Sequence, residues 1–118
     1  MDELLKLREG IKIQKRYHEP LSEFVNVALE KYGEKIESII LFGSVAMGKA
    51  KRDSDIDILI VTKDEDFRLR RALIGIAFDI LLQTEENIYV KVISKTDFDR
   101  NKNFSFLRNV ILEGVKVV

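Results

Sequence analysis

From residue 55 to 62 the chain reads DIDILIVT, and its side chains alternate in character. Ile56, Ile58 and Ile60 fall on one face of an extended strand, with Asp55, Asp57, Leu59 and Val61 on the other. ESIILF at 37 to 42 is a short apolar run and predicts a buried strand. IYVKVIS at 88 to 94 predicts a third. Between them the apolar period changes. Leu21, Phe24, Val25, Ala28 and Tyr32 recur at i, i+3, i+4, i+7 and i+11 and predict an amphipathic helix, with Pro20 in its first turn and Gly33 at its C′ position. Leu4, Leu7 and Ile11 predict an earlier helix over residues 3 to 17, weakened by Gly10. Residues 65 to 83 predict a long helix whose polar stripe is Arg68, Arg71, Gly75, Asp79 and Gln83, the rest being mostly apolar. NFSFLRNVILE at 103 to 113 predicts a short helix ended by Gly114, and the tail VKVV adds an edge strand. The expected fold is α/β of the α+β kind: a small mixed β-sheet of three to four strands backed by helices, with residues 1–118 as a single domain.

Composition narrows the functions open to such a domain. Of 118 residues, 46% are hydrophobic and 34% charged, enough for both a core and a charged surface. Lys+Arg and Asp+Glu each total 20, and this balance argues against a nucleic-acid partner, which favours a basic surplus. Cysteine is absent, excluding thiolate metal sites and a cysteine nucleophile. No apolar run reaches the length of a membrane span, and MDELLKLREG lacks the apolar stretch of a secretion signal. The expectation is a cytoplasmic protein with no membrane partner.

The chemistry concentrates in LFGSVAMGKAKRDSDIDILIV, residues 41 to 61. Asp55 and Asp57 are two apart on a strand, so their carboxylates point the same way from Cα atoms roughly 6.5–7 Å apart. Two such charges 6 Å apart repel by about 3 kcal/mol at an effective dielectric near 20. A hard divalent cation removes that repulsion. Mg²⁺, as one or two ions, suits a site with oxygen donors and no nearby His or Cys. Upstream, Gly43 and Ser44 follow the first strand and open a short helical turn, where backbone N–H groups and a hydroxyl can meet a phosphate. Gly48 suits a left-handed turn, and Lys49, Lys51 and Arg52 place three cations on the connecting loop. Phosphate donors, basic loop and metal clamp in that order suit a magnesium-bound nucleoside triphosphate.

Gly-Ser followed after a gap by Asp-x-Asp on a strand resembles the nucleotidyltransferase superfamily of DNA polymerase beta. FGSVAMGKAKRDSDIDILIV is similar to its smallest branch, the minimal nucleotidyltransferases of prokaryotes that accompany HEPN proteins, and the likeness extends over nearly the whole chain. The resemblance implies a polymerase beta-like fold in which Gly43 and Ser44 hold the triphosphate and Asp55 and Asp57 are the catalytic, metal-binding pair. It implies transfer of NMP, most plausibly AMP from ATP, to a hydroxyl acceptor. That acceptor could lie on a HEPN-type partner, this chain being the antitoxin of a toxin–antitoxin pair. It also implies a third carboxylate on a later strand, and there VKVISK at 90 to 95 carries Lys91. Asp79, Glu85, Glu86, Asp97 and Asp99 lack the spacing to replace it. Two outcomes stay open: an active transferase, or a catalytically impaired module that binds nucleotide and a partner. Lone His18 and the run Arg68, Arg70 and Arg71 are expected to be structural or solvated. Phe104, Phe106 and Leu107 are expected in the core, with an interface as the alternative, and the apolar breadth of the long helix permits a homo-oligomer.

Overall fold

The computed structural model describes residues 13–118. Most of the helix expected over residues 3 to 17 lies outside them, and its last part, Lys15–Tyr17, is a 3₁₀ turn leading into α1, His18–Tyr32. The helix α1 buries Leu21, Phe24, Val25 and Ala28, the face its period anticipates, with Pro20 in the first turn where its missing N–H costs nothing. Gly33 departs from expectation. Its φ is −53°, right-handed, and the chain tightens into a second 3₁₀ turn, Gly33–Lys35, instead of reversing hand.

Four strands follow: β1 Ile36–Phe42, β2 Ile56–Thr62, β3 Ile88–Ser94 and β4 Val115–Lys116. Their order is β3-β2-β1-β4, with β2 antiparallel to β1, parallel to β3, and β4 antiparallel to β1. The parallel pair needs a crossover, supplied by α3, Phe67–Thr84. Asp66 starts that helix by accepting from the backbone N–H groups of Arg68 and Leu69, both at 3.0 Å. Between β1 and β2 lies the one-turn helix α2, Gly43–Ala46.

Alternation along the strands divides the core in two. Ile39, Leu41, Ile56, Ile58 and Ile60 pack with α1 and with Leu69, Leu73, Ile76 and Ile80 of α3. On the other side Ile40, Leu59 and Val61 pack with Leu107 and Val110 of α5, Ser105–Glu113. A further helix, α4 at Lys95–Asn101, helps cover this side and was not anticipated from KTDFDRN, whose single apolar residue shows no period. Its start is legible only in the cap, where Asp97 N–H donates to Ser94 Oγ at 3.2 Å. Among the described residues no helix is long and apolar enough to cross a membrane.

Gly114 ends α5 as expected, for a steric reason. Its φ is an ordinary −76°, but a Cβ there would collide with the Val110 carbonyl oxygen and lie 2.8 Å from Ile40 Cγ2. Backbone cannot yield as a side chain can. Gly114→Ala is therefore expected to lower unfolding free energy by about 1–3 kcal/mol, read as a shifted urea midpoint. An unshifted midpoint would mean that β4 packs more loosely than described.

Candidate functional site

In the antiparallel β1–β2 pair Phe42 stands opposite Asp57, and in the parallel β2–β3 pair Asp57 stands beside Tyr89. Residues in one row share a face. One row across the sheet is thus Phe42–Asp57–Tyr89, and the next on the same face is Ile40–Leu59–Lys91. The carboxylate of Asp57 emerges where β1 ends and Gly43 begins.

Gly43 and Asp57 touch. Gly43 has φ +75°, and the position a Cβ would take is already filled by Asp57 Oδ2, with Asp57 Cγ at 3.2 Å. Any other residue would be strained and would displace the carboxylate. Of the two segments expected to form the site, Gly43 and Asp57 are therefore in direct contact. Ser44 follows on α2, which closes through Met47 N–H to Gly43 O at 3.2 Å and Lys49 N–H to Ser44 O at 2.9 Å. Gly48 takes the left-handed conformation expected of it, φ +68°.

Lys49, Lys51 and Arg52 are exposed on the returning loop, and among the described residues none of their heads is in an ion pair. The loop is shaped nonetheless. Ser54 Oγ accepts from Lys51 N–H at 2.7 Å, and Ser54 N–H donates to Lys51 O at 3.0 Å. Arg16, a residue the sequence reading missed, donates to the carbonyls of Lys51 at 3.2 Å and Arg52 at 2.9 Å. Its guanidinium lies over the Tyr17 ring, with Glu86 at 4.0 Å. Nothing in the residues around Arg16 announces this, because its partners are backbone atoms over thirty positions away.

The other expectations divide. His18 is structural: its Nε2 pairs with the Ile13 carbonyl at 2.8 Å. Asp79 is exposed, Glu85 caps α3, and Asp97 and Asp99 lie in ion pairs with Arg100, Lys95 and Lys102. Arg68, Arg70 and Arg71 are exposed. Leu107 is buried as expected, but Phe104 and Phe106 are not core: they are 67% and 42% exposed. Phe106 instead meets Phe42 edge-on, centroids 5.5 Å apart, and carries the Lys91 ammonium 4.6 Å from its ring centre.

Asp57 is half-buried, and burial, then the neighbouring charge of Asp55, pushes its carboxyl above the ordinary range. The donor set is two carboxylates with oxygen ligands only. Among the described residues no group of three or more acidic, His or Cys side chains converges. Such a pair fits a hard divalent ion that completes its coordination with water and phosphate oxygens, since a cation relieves both causes of the shift.

Two measurements follow. Folding favours protonated Asp57, so its contribution to stability is present below the ordinary carboxylate pKa and is lost as pH rises through the raised folded-state value. Asp57→Asn is expected to raise the metal-free melting temperature at neutral pH, the gain vanishing near about pH 3. Equal shifts at both pH values would contradict the stated cause. Arg16→Ala is expected to speed hydrogen exchange of the Lys51–Ser54 amides about tenfold or more without affecting β2. Unchanged exchange in the loop would show that Arg16 does not hold it.

Several known proteins are similar to this chain. A family model described as a nucleotidyltransferase domain matches residues 21–117. A Methanocaldococcus jannaschii protein named a "putative protein adenylyltransferase" is 44% identical over 94 residues, spanning 80% of this chain and 90% of that one. A second protein so named, from the same organism, is 31% identical over 108 residues, spanning 89% and 73%. Among solved structures, a chain from a toxin–antitoxin crystal structure with AMP-PNP aligns with TM-score 0.55 at 22% identity, over 80% of this chain and 70% of that one. A chain described as a "putative nucleotidyltransferase" from Sulfolobus solfataricus aligns with TM-score 0.51 at 20% identity, over 92% and 90%. The structural likenesses establish the mixed four-stranded fold.

Proposed function

Since the chain belongs to the nucleotidyltransferase domain family, we propose that it moves AMP from ATP to a hydroxyl group on a protein, using magnesium held by Asp55 and Asp57. The observation that carries this reading is the contact of Gly43 with the Asp57 carboxylate, which brings a phosphate cradle within reach of a metal-binding pair. The preference for AMP and for a protein acceptor is supported by the two relatives named protein adenylyltransferases.

In this reading Gly43 lets the triphosphate approach the backbone, and Ser44 adds a hydroxyl donor. Lys49, Lys51 and Arg52, on a loop shaped by Ser54 and Arg16, take up the charge of the departing pyrophosphate. Asp55 and Asp57 hold the divalent ion, which when bound polarises the phosphate and lowers the pKa of a coordinated hydroxyl. The acceptor oxygen bonds to the α-phosphorus while the bond from that phosphorus to the bridging oxygen breaks. Pyrophosphate leaves, and the hydroxyl proton passes to solvent. A HEPN-type protein is the proposed acceptor, this chain acting as antitoxin. Support comes from the resemblance of residues 41 to 61 and from the structural neighbour crystallised as a toxin–antitoxin with AMP-PNP.

One observation favours a second reading. The position implied for a third carboxylate carries Lys91, whose ammonium rests on Phe106. A module that binds Mg–ATP and a partner without transfer would tolerate this.

The decisive measurement uses α-labelled ATP and the protein encoded beside this chain. Native protein is expected to label the partner, and Asp57→Asn to reduce labelling at least about 100-fold. No labelling by native protein, with calorimetric uptake of Mg–AMP-PNP retained, would favour the binding module. Transfer unaffected by Asp57→Asn would overturn the assigned site.

A further inference from the structure

Lys91 is on the site face of the sheet, one row from Asp57. Across a strand pair such diagonal neighbours lie about 7–8 Å apart at their Cα atoms, within the span of a lysine side chain. The side chain is exposed, and among the described residues its ammonium is in no ion pair. It is placed nonetheless. Its head lies over Phe106, Phe106 packs edge-on against Phe42, and Phe42 is the cross-strand neighbour of Asp57. A cation is thus held on one aromatic ring, on the face where Asp57 emerges and one row from it.

We propose, resting on the reading of the site as a magnesium–triphosphate site, that Lys91 stands in for a second metal ion. Its ammonium limits the site to one divalent cation and contributes the second positive centre to the bound triphosphate. A second ion would share Asp55 and Asp57 with the first, find no converging third carboxylate among the described residues, and face a cationic side chain based one row from Asp57. Two carboxylates, one divalent ion and one ammonium leave one net positive charge. Three carboxylates with two divalent ions leave the same sum. The protein can therefore offset the charge of a triphosphate to the same extent with one metal fewer.

Counting manganese in the complex with AMP-PNP, after free ligand is removed, tests this without reference to turnover. Native protein is expected to retain one Mn²⁺ per nucleotide, and Lys91→Glu to retain two. Two ions per nucleotide in native protein would overturn the proposal while leaving the nucleotide site intact. Native protein retaining no nucleotide would overturn the site reading on which it rests. If Lys91→Glu does not fold, Lys91→Gln, uncharged and of similar reach, replaces it as the readout. Its affinity for Mg–AMP-PNP is expected to fall about tenfold, as when a charge-assisted contact is lost. Affinity unchanged in Lys91→Gln would overturn the proposal.

Discussion

The contact between Gly43 and the Asp57 carboxylate organises the candidate site of this molecule. It is imposed by strand register: once Phe42 pairs with Asp57, the residue leaving β1 must turn past that carboxylate. A glycine in left-handed conformation makes the turn, and no side chain at position 43 can share the space. Slipping the register by one residue would send Asp57 to the other face, among Ile39, Leu41, Ile56, Ile58 and Ile60. Site and core are therefore fixed by one alternation. The apolar residues that hold β2 in place also determine where the Asp57 carboxylate emerges, with Asp55 just before the strand.

The arrangement carries an electrostatic cost. Asp57 is partly desolvated and faces Asp55, and both effects oppose its ionisation. The fold absorbs this because Ile56, Ile58 and Ile60, interleaved with the aspartates, are fully buried, and each such side chain contributes about 1.5–3 kcal/mol. Elsewhere polar groups are well satisfied. Among the described residues no buried side-chain polar atom lacks a partner. Local destabilisation thus falls on Asp57, the carboxylate that a cation would relieve.

What could be read beforehand depended on how local the cause was. The three longer strands, α1, α3 and α5 follow from apolar period alone, and the Gly48 turn from the residue type that left-handed backbone prefers. Helix α4 escaped because it is mostly polar and rests on a single serine cap. The sequence shows no sign that Phe106 leaves the core, since the same apolar spacing serves a buried helix face and an aromatic shelf beneath Lys91. Arg16 was equally invisible, its role being to bind carbonyls on a loop brought near by α1 and the sheet. Short-range periodicity betrays elements and their faces. Contacts to remote backbone leave no trace in composition.

The same geometry bears on which acceptors the site can reach. Its row ends at Tyr89 on β3, an edge strand, and Tyr89 is 51% exposed. Among the described residues no element lies beyond that edge to enclose a small substrate, and α4 and α5 leave Phe104 and Phe106 open to solvent. Small ligands gain affinity from concave enclosure, whereas a protein brings its own surface and needs only an accessible row of groups to meet. Around the β3 edge, Ile74 and Phe78 of α3, on the other side of the sheet, continue the exposed surface from Tyr89. An acceptor hydroxyl carried by a second protein suits a site open at a sheet edge better than a free metabolite does. In the proposed reading, that open edge would give a protein-borne hydroxyl access to the Asp57 row.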